Sequence, residues 1–309
     1  MEENLKENEK MKEPIKNRYE FVFYFDVENG NPNGDPDAGN HPRIDAETNY
    51  GIVTDVCLKR KIRNYVEMVK EDEPFYNILV KMDRSLNSKF TEAHEKVENA
   101  DIGKKDKTKE EIKKAQDWMC ENYFDVRTFG AVMSTGNDPA GIVRGPVQIN
   151  FARSVDPIFV SDISITRLAV TKDEDFKIAG KNNEMGRKAI IPYALYRAEG
   201  YISANLAQKL TKFNEDDLEL LWEAIINMFE NDHSSARGKM AVRKLFVFKH
   251  KDALGNAPSY VLFDLIKAKR KDESKVARCF EDYEITSPSE GNTVTADGKT
   301  YQVEFIEKL

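Results

Sequence analysis

The pattern of apolar and polar positions changes abruptly at Tyr19. Residues 1–17 (MEENLKENEKMKEPIKN) are polar and charged throughout, which predicts a frayed tail with no signal peptide. From Tyr19 the chain reads Tyr-Glu-Phe-Val-Phe-Tyr-Phe-Asp-Val, an aromatic and β-branched run that predicts a buried strand. Gly, Asn, Asp and Pro then crowd residues 28–39, as in a long irregular loop. Leu58, Ile62, Tyr65 and Val69 recur at helical spacing, so a helix is expected over 54–70. Lys59, Arg60 and Arg63 fall on a different face of it. Residues 74–81 are expected to add a second strand.

Residues 84–122 read as an inserted helical section, with Thr108 and Glu111 spaced as a capping box. Strand patterns resume in FDVRTFGAV, GPVQINF and ISITRLAV between residues 123 and 170. Residues 170–187 are polar and glycine-bearing, like a projecting hairpin. KAIIPYALYRAEGYIS (188–203) is again strand-like. Leu218, Leu221, Trp222, Ile225 and Phe229 mark the apolar stripe of a helix over 216–231. Residues 233–238 break the pattern before a strand at 244–250, and a hairpin at TADGK precedes a last strand at 301–306. No internal repeat or interdomain linker is visible. The whole reads as a tail (1–17) followed by one α+β domain (18–309) with insertions.

No apolar run approaches the roughly 18 residues of a membrane helix. Three cysteines, Cys57, Cys120 and Cys279, are far apart and form no disulfide or metal-binding pattern, which fits a cytoplasmic protein. The net charge of −7 argues against nucleic acid at first sight, but the charge is segregated. Residues 211–232 hold seven acids and one lysine, whereas residues 234–251 hold six lysines and arginines and no acid. An acidic chain of this kind can still carry a basic surface.

Three segments carry candidate chemistry. In the first loop, Asn29, Asn31, Asn33 and Gly34 match the early positions of a calcium loop, but Asn40 stands where a bidentate Glu is required. A structural turn and a close backbone approach to phosphate both remain open there. The second segment is the basic helix with Lys59, Arg60 and Arg63, either a phosphate contact or a solvated face. The third, residues 233–243, offers Ser234, Ser235, Arg237, Lys239 and Arg243, either as phosphate ligands or as a connection that answers the acidic helix before it. Met185, with Arg187 and Lys188 beside it, ends the polar projection, where an apolar wedge between bases competes with core packing. Phe129 reads as core, with base stacking the lesser option. Catalytic signals are thin: the four histidines have no ligand spacing, and Asp35, Asp37 and Asp45 are the carboxylates that could serve magnesium chemistry.

Taken together, RYEFVFYFDVENGNPNGDPDAGNHPRIDAETNYGIVTDVCLKRKIRNYV, FDVRTFGAVM with RGPVQI, GRKAIIPYALYRAEGYIS and SSARGKMAVRKLFVF resemble the CRISPR Cascade backbone subunits of the type I-C and I-B group. These belong to the repeat-associated mysterious protein (RAMP) superfamily, and the likeness runs from about Arg18 to the C-terminus. The resemblance implies an RNA-recognition-motif-like (ferredoxin-like) core with helical fingers at 84–122 and a thumb at 170–188. It implies a non-catalytic subunit, with no cofactor or metal, that polymerises head to tail along one crRNA and presents it to target DNA. Other copies, a large subunit and a repeat-handle-binding subunit are the implied partners, and no membrane. Carried over by position, the RNA contacts are Asn31, Asn33, Arg43, Lys59, Arg60, Arg63, Met185, Arg187, Lys188, Ser234, Ser235, Arg237, Lys239 and Arg243. The alternative within the superfamily is an endoribonuclease acting through Asp35, Asp37 or His41.

Overall fold

The computed structural model describes residues 13–97, 102–103, 107–177 and 183–309. Its centre is β1 (Tyr19–Gly30), flanked by the antiparallel strands β3 (Glu184–Ile202) and β4 (Lys239–His250), with β2 (Ala152–Pro157) beyond β3. The order across the sheet is thus β4-β1-β3-β2, extended outside β4 by Val303–Glu307 and outside β2 by Tyr50–Val53. Two helices, α1 (Asp55–Val69) and α2 (Glu215–Asn227), cover one face. Among the described residues no helix is long and apolar enough to cross a membrane.

The uninterrupted apolar run of β1 has a simple cause: both faces of the sheet are covered, so neither alternate set of side chains meets water. Phe21, Phe23, Phe25 and Val27 point to the helices, where Phe21 meets Trp222 edge-on at 5.2 Å and Phe25 stacks on Tyr196 at 5.3 Å. Val22 and Tyr24 point the other way, into a second cluster with Phe246, Phe248, Leu262 and Phe305. A third cluster, with Phe90, Met119 and Met133, lies among the helices Leu86–Lys96 and Lys109–Asn122 and the strand Gly130–Met133. Thr108 and Glu111 close the capping box.

Helix α1 begins where the Thr54 hydroxyl accepts from the Cys57 amide. Its buried stripe is Leu58, Ile62 and Val66; Tyr65 is half-buried and Val69 exposed, so the apolar face is turned slightly from the one the sequence predicts. Residues 74–81 do not form a strand. Asp72 and Phe75 both have positive φ, and the segment's one ladder contact among the described residues is a bridge between Asn77 and Tyr123.

Residues Phe124–Phe129 are a short helix rather than a strand. The alternation of apolar and polar residues misleads there because both sets are buried, with Asp125 and Arg127 held in internal ion pairs. Part of the segment expected to fray is held in the fold: Ile15 is fully buried and its amide donates to the Phe213 carbonyl at 3.0 Å, while residues 1–12 of that segment lie outside the described residues. The projecting hairpin starts earlier than expected, with Ser161–Arg167 paired to Glu184–Ile190 of β3. Residues 178–182 of the expected thumb, and 98–101 and 104–106 of the expected fingers, also lie outside the described residues.

Candidate nucleic-acid interface

The first loop, the hairpin and the 233–238 turn, scattered along the sequence, meet at one end of the sheet. Asn31, just past β1, donates its amide to the Ala236 carbonyl at 2.8 Å, joining the first loop to the turn. The join is close: a Cβ on Gly30 would stand 1.8 Å from the Arg237 carbonyl oxygen, and one on Gly238, at φ +66°, would stand 2.5 Å from that of Asn29. Only glycine permits that approach. At the root of the hairpin, Lys188 Nζ donates to the Ser235 carbonyl at 2.8 Å and also to the Ser235 hydroxyl. His41 of the first loop reaches Asp162 of the other hairpin arm, at 3.0 Å from its Nε2.

The asparagines hold the loop together. Asn31 Nδ2 donates to the Asn40 carbonyl at 2.7 Å, which leaves Asn31 Oδ1 buried without a hydrogen-bond partner. Asn33 Oδ1 accepts from both the amide and the hydroxyl of Thr54 at 3.0 Å, fixing the loop to the start of α1. Asp35 accepts from the Asp37 amide and lies 3.4 Å from Arg43, so its carboxylate shapes this turn. Among the described residues no group of three His, Cys, Asp or Glu side chains could hold a metal ion.

The cations divide into two classes. Arg187 and Lys188 stand on the hairpin with no carboxylate partner among the described residues, and Met185 beside them is 77% exposed. Lys239 is exposed and pairs with Glu28 at 3.3 Å. Arg237 Nε lies 2.8 Å from Asp232, which also binds Lys61 of α1, a residue absent from the sequence candidates. Burial lowers the Lys61 ammonium pKa, against the opposing pull of Asp232. Arg243 occupies the β-bulge where the β1–β4 register shifts; it pairs with Asp26 at 2.8 Å. Burial raises the Asp26 pKa, with Arg243 opposing.

The basic helix differs most from expectation. Arg63 is turned into the protein, where it donates to Asp125 at 2.7 Å and lies over the Phe129 ring. Lys59 pairs with Asp55 at 2.9 Å over the same ring, and Arg60 donates to the Val80 carbonyl at 2.6 Å. These cations fasten α1 to its neighbours. What they offer to an outside anion reduces to the partly exposed heads of Lys59 and Arg60. Phe129 is core, as the sequence suggests.

The arrangement is an open junction of two loops and a hairpin. Exposed cations, the serine hydroxyls of the turn and a buried, unpaired amide oxygen meet there.

The family described as "CRISPR-associated protein Cas7" matches residues 17–288. A CRISPR-associated protein Cas7 from Haloferax volcanii is 27% identical over 238 residues, 68% of this chain and 65% of that protein. The match thus spans about two-thirds of the curated relative's length. Among solved structures, a chain of a pre-nicking CRISPR RNA-guided surveillance complex is 13% identical with a TM-score of 0.46, over 75% of this chain and 78% of that one. A chain of a type III-B Cmr-beta complex bound to cognate target RNA is 12% identical with a TM-score of 0.39, over 79% of this chain and 64% of that one.

Proposed function

The chain belongs to the CRISPR-associated protein Cas7 family, and from that premise we propose that it is a non-catalytic crRNA-binding backbone subunit of a type I Cascade complex, working in the cytoplasm. Copies polymerise head to tail along the guide and leave its bases free to pair with target DNA, beside a large subunit and a repeat-handle-binding subunit. The observation that carries the reading is the meeting of the 31–43 loop, the 161–190 hairpin and the 233–239 turn. Segments far apart in sequence supply one surface of phosphate-directed groups.

Such a surface suits a strand held without regard to sequence. Arg187, Lys188, Lys239 and Arg237 neutralise phosphates, while Ser234 and Ser235 donate hydroxyls. Asn31 Oδ1, buried and unpaired, is an acceptor that a ribose 2′-hydroxyl would satisfy, which favours RNA over DNA. The exposed Met185 on the hairpin is the wedge that displaces a base, the role of the thumb. Arg63 and Asn33 act through the scaffold rather than by contact. Lys59, Arg60, Arg43 and Arg243 border the surface from their ion pairs and hydrogen bonds.

The order β4-β1-β3-β2 with two helices on one face supports an RNA-recognition-motif-like core, in which the 84–122 helices form fingers. The chain then forms one domain with two insertions. Expression of the chain beside a CRISPR array tests the function. Copurified RNA of one defined length with repeat-derived ends is expected; nucleic acid of random length and sequence, or none, contradicts it.

A further inference from the structure

On the sheet face turned away from α1 and α2 lies an open cleft of about 520 Å³, bordered by Tyr24, Phe151, Arg153, Arg197, Lys267 and Lys269. It is remote from the loop junction, since Tyr24 stands six residues before Gly30 at the end of β1, about 20 Å at strand rise.

The strand register puts Tyr24, Arg197 and Arg153 in one row across three neighbouring strands, on the same face. Arg197 and Arg153 lie directly opposite one another, each with one carboxylate neighbour, Glu199 at 2.9 Å and Asp45 at 3.1 Å. Arg197 uses its Nη atoms on the carbonyls of Ile266 and Phe263, at 2.9 and 2.8 Å, and on Glu199. Its Nε is buried without a partner, and so is the hydroxyl of Tyr24, a residue with no exposed surface. Two unpaired donors of this kind in one row are rare in a finished interior. Burial pushes the Tyr24 phenol pKa up to about 12, so it remains a donor at neutral pH.

At the rim, Lys267 has no carboxylate partner among the described residues, while Arg153 and Lys269 lean outward to Asp45 and Glu284. Glu199 is the one acid among the cleft's bordering residues. Phe151 lies 57% exposed at the mouth, where an aromatic ring gains little unless something flat covers it.

We propose that this cleft is a second nucleotide-binding site, taking a phosphate between Arg197 and Lys267 and the attached base on Phe151. It goes beyond the guide-binding reading and does not depend on it. The phosphate comes either from a free nucleotide or from one unit of a single strand passing over this face.

Calorimetric titration of the full chain with inorganic phosphate and with AMP tests it. AMP is expected to bind saturably and more tightly than phosphate, with salt weakening both. Tyr24→Phe removes only an unpaired hydroxyl, so its melting temperature should hold while AMP affinity falls about tenfold, the effect of one charge-assisted hydrogen bond. Lys267→Glu should abolish binding, and Phe151→Ala should weaken AMP but not phosphate. Competition of AMP by a short oligoribonucleotide assigns the source to a strand; absence of competition assigns it to free nucleotide. Guide-RNA affinity of Tyr24→Phe should match the wild type, which separates this site from the loop junction. The proposal is overturned if neither probe binds saturably, if the Tyr24 and Lys267 variants bind AMP unchanged, or if a glutamate-rich peptide displaces AMP more strongly than phosphate does.

Discussion

Arg63 and Asp125 form an internal ion pair, Nε to Oδ2 at 2.7 Å, that locks the central helix α1 to the short helix that follows the helical insertion. Asp125 also accepts from the amides of Leu79 and Val80, at 2.7 and 3.1 Å. Removing the carboxylate strands a buried guanidinium and two amides together. Asp125→Ala should therefore lose about 3–5 kcal/mol in urea unfolding. Arg63→Met, which fills the space without charge, should lose less.

Gly30 is the tightest point of the junction between the first loop and the 233–238 turn. A methyl group there cannot be accommodated without moving backbone, so Gly30→Ala should destabilise by about 1–3 kcal/mol in the same unfolding measurement. It should also weaken guide RNA binding. Gly291→Ala, whose Cβ meets open space, is the matching control and should leave both properties unchanged.

Glu20 is fully buried beside His250, with Arg18 and Ser259 completing its hydrogen bonds. Burial raises its pKa, but the bonds from His250 and Ser259 and the Arg18 charge outweigh it, and the net shift is below the ordinary value of 4.5. The folded state therefore binds fewer protons than the unfolded one near that pH. The stability Glu20 contributes is present above about pH 4.5 and is lost as pH falls through the folded value. Glu20→Gln should be less stable at neutral pH and should show a flatter acid limb in a plot of stability against pH.

Much of the fold is legible in the sequence because its signals are local. The aromatic density of β1, the Leu58–Ile62 stripe of α1, and the Leu218–Trp222–Ile225 stripe each state their own element. The errors arise where a distant partner decides. Arg63 reads as a surface cation until Asp125, 62 residues on, is placed against it. Phe124–Phe129 reads as a strand because nothing nearby reveals that Arg127 meets Asp217, each buried, at 2.8 Å. The candidate segments are visible through composition, but their meeting through Asn31, Lys188 and Ser235 is long-range, and so is the role of Asp232 in holding Lys61 and Arg237. The aligned arginines of the rear cleft emerge only with the strand register.

The central claim is that the hairpin and the 233–239 turn grip a ribose-phosphate strand through charge. Guide-RNA affinity measured across a range of salt concentrations tests it most directly, in wild type and in the Arg187→Glu/Lys188→Glu variant. If about five phosphates are neutralised, the wild-type plot of log affinity against log salt should have a slope of about −3.5, and the double variant a slope nearer about −2 with much weaker binding. An unchanged slope and affinity in a folded double variant would contradict the claim.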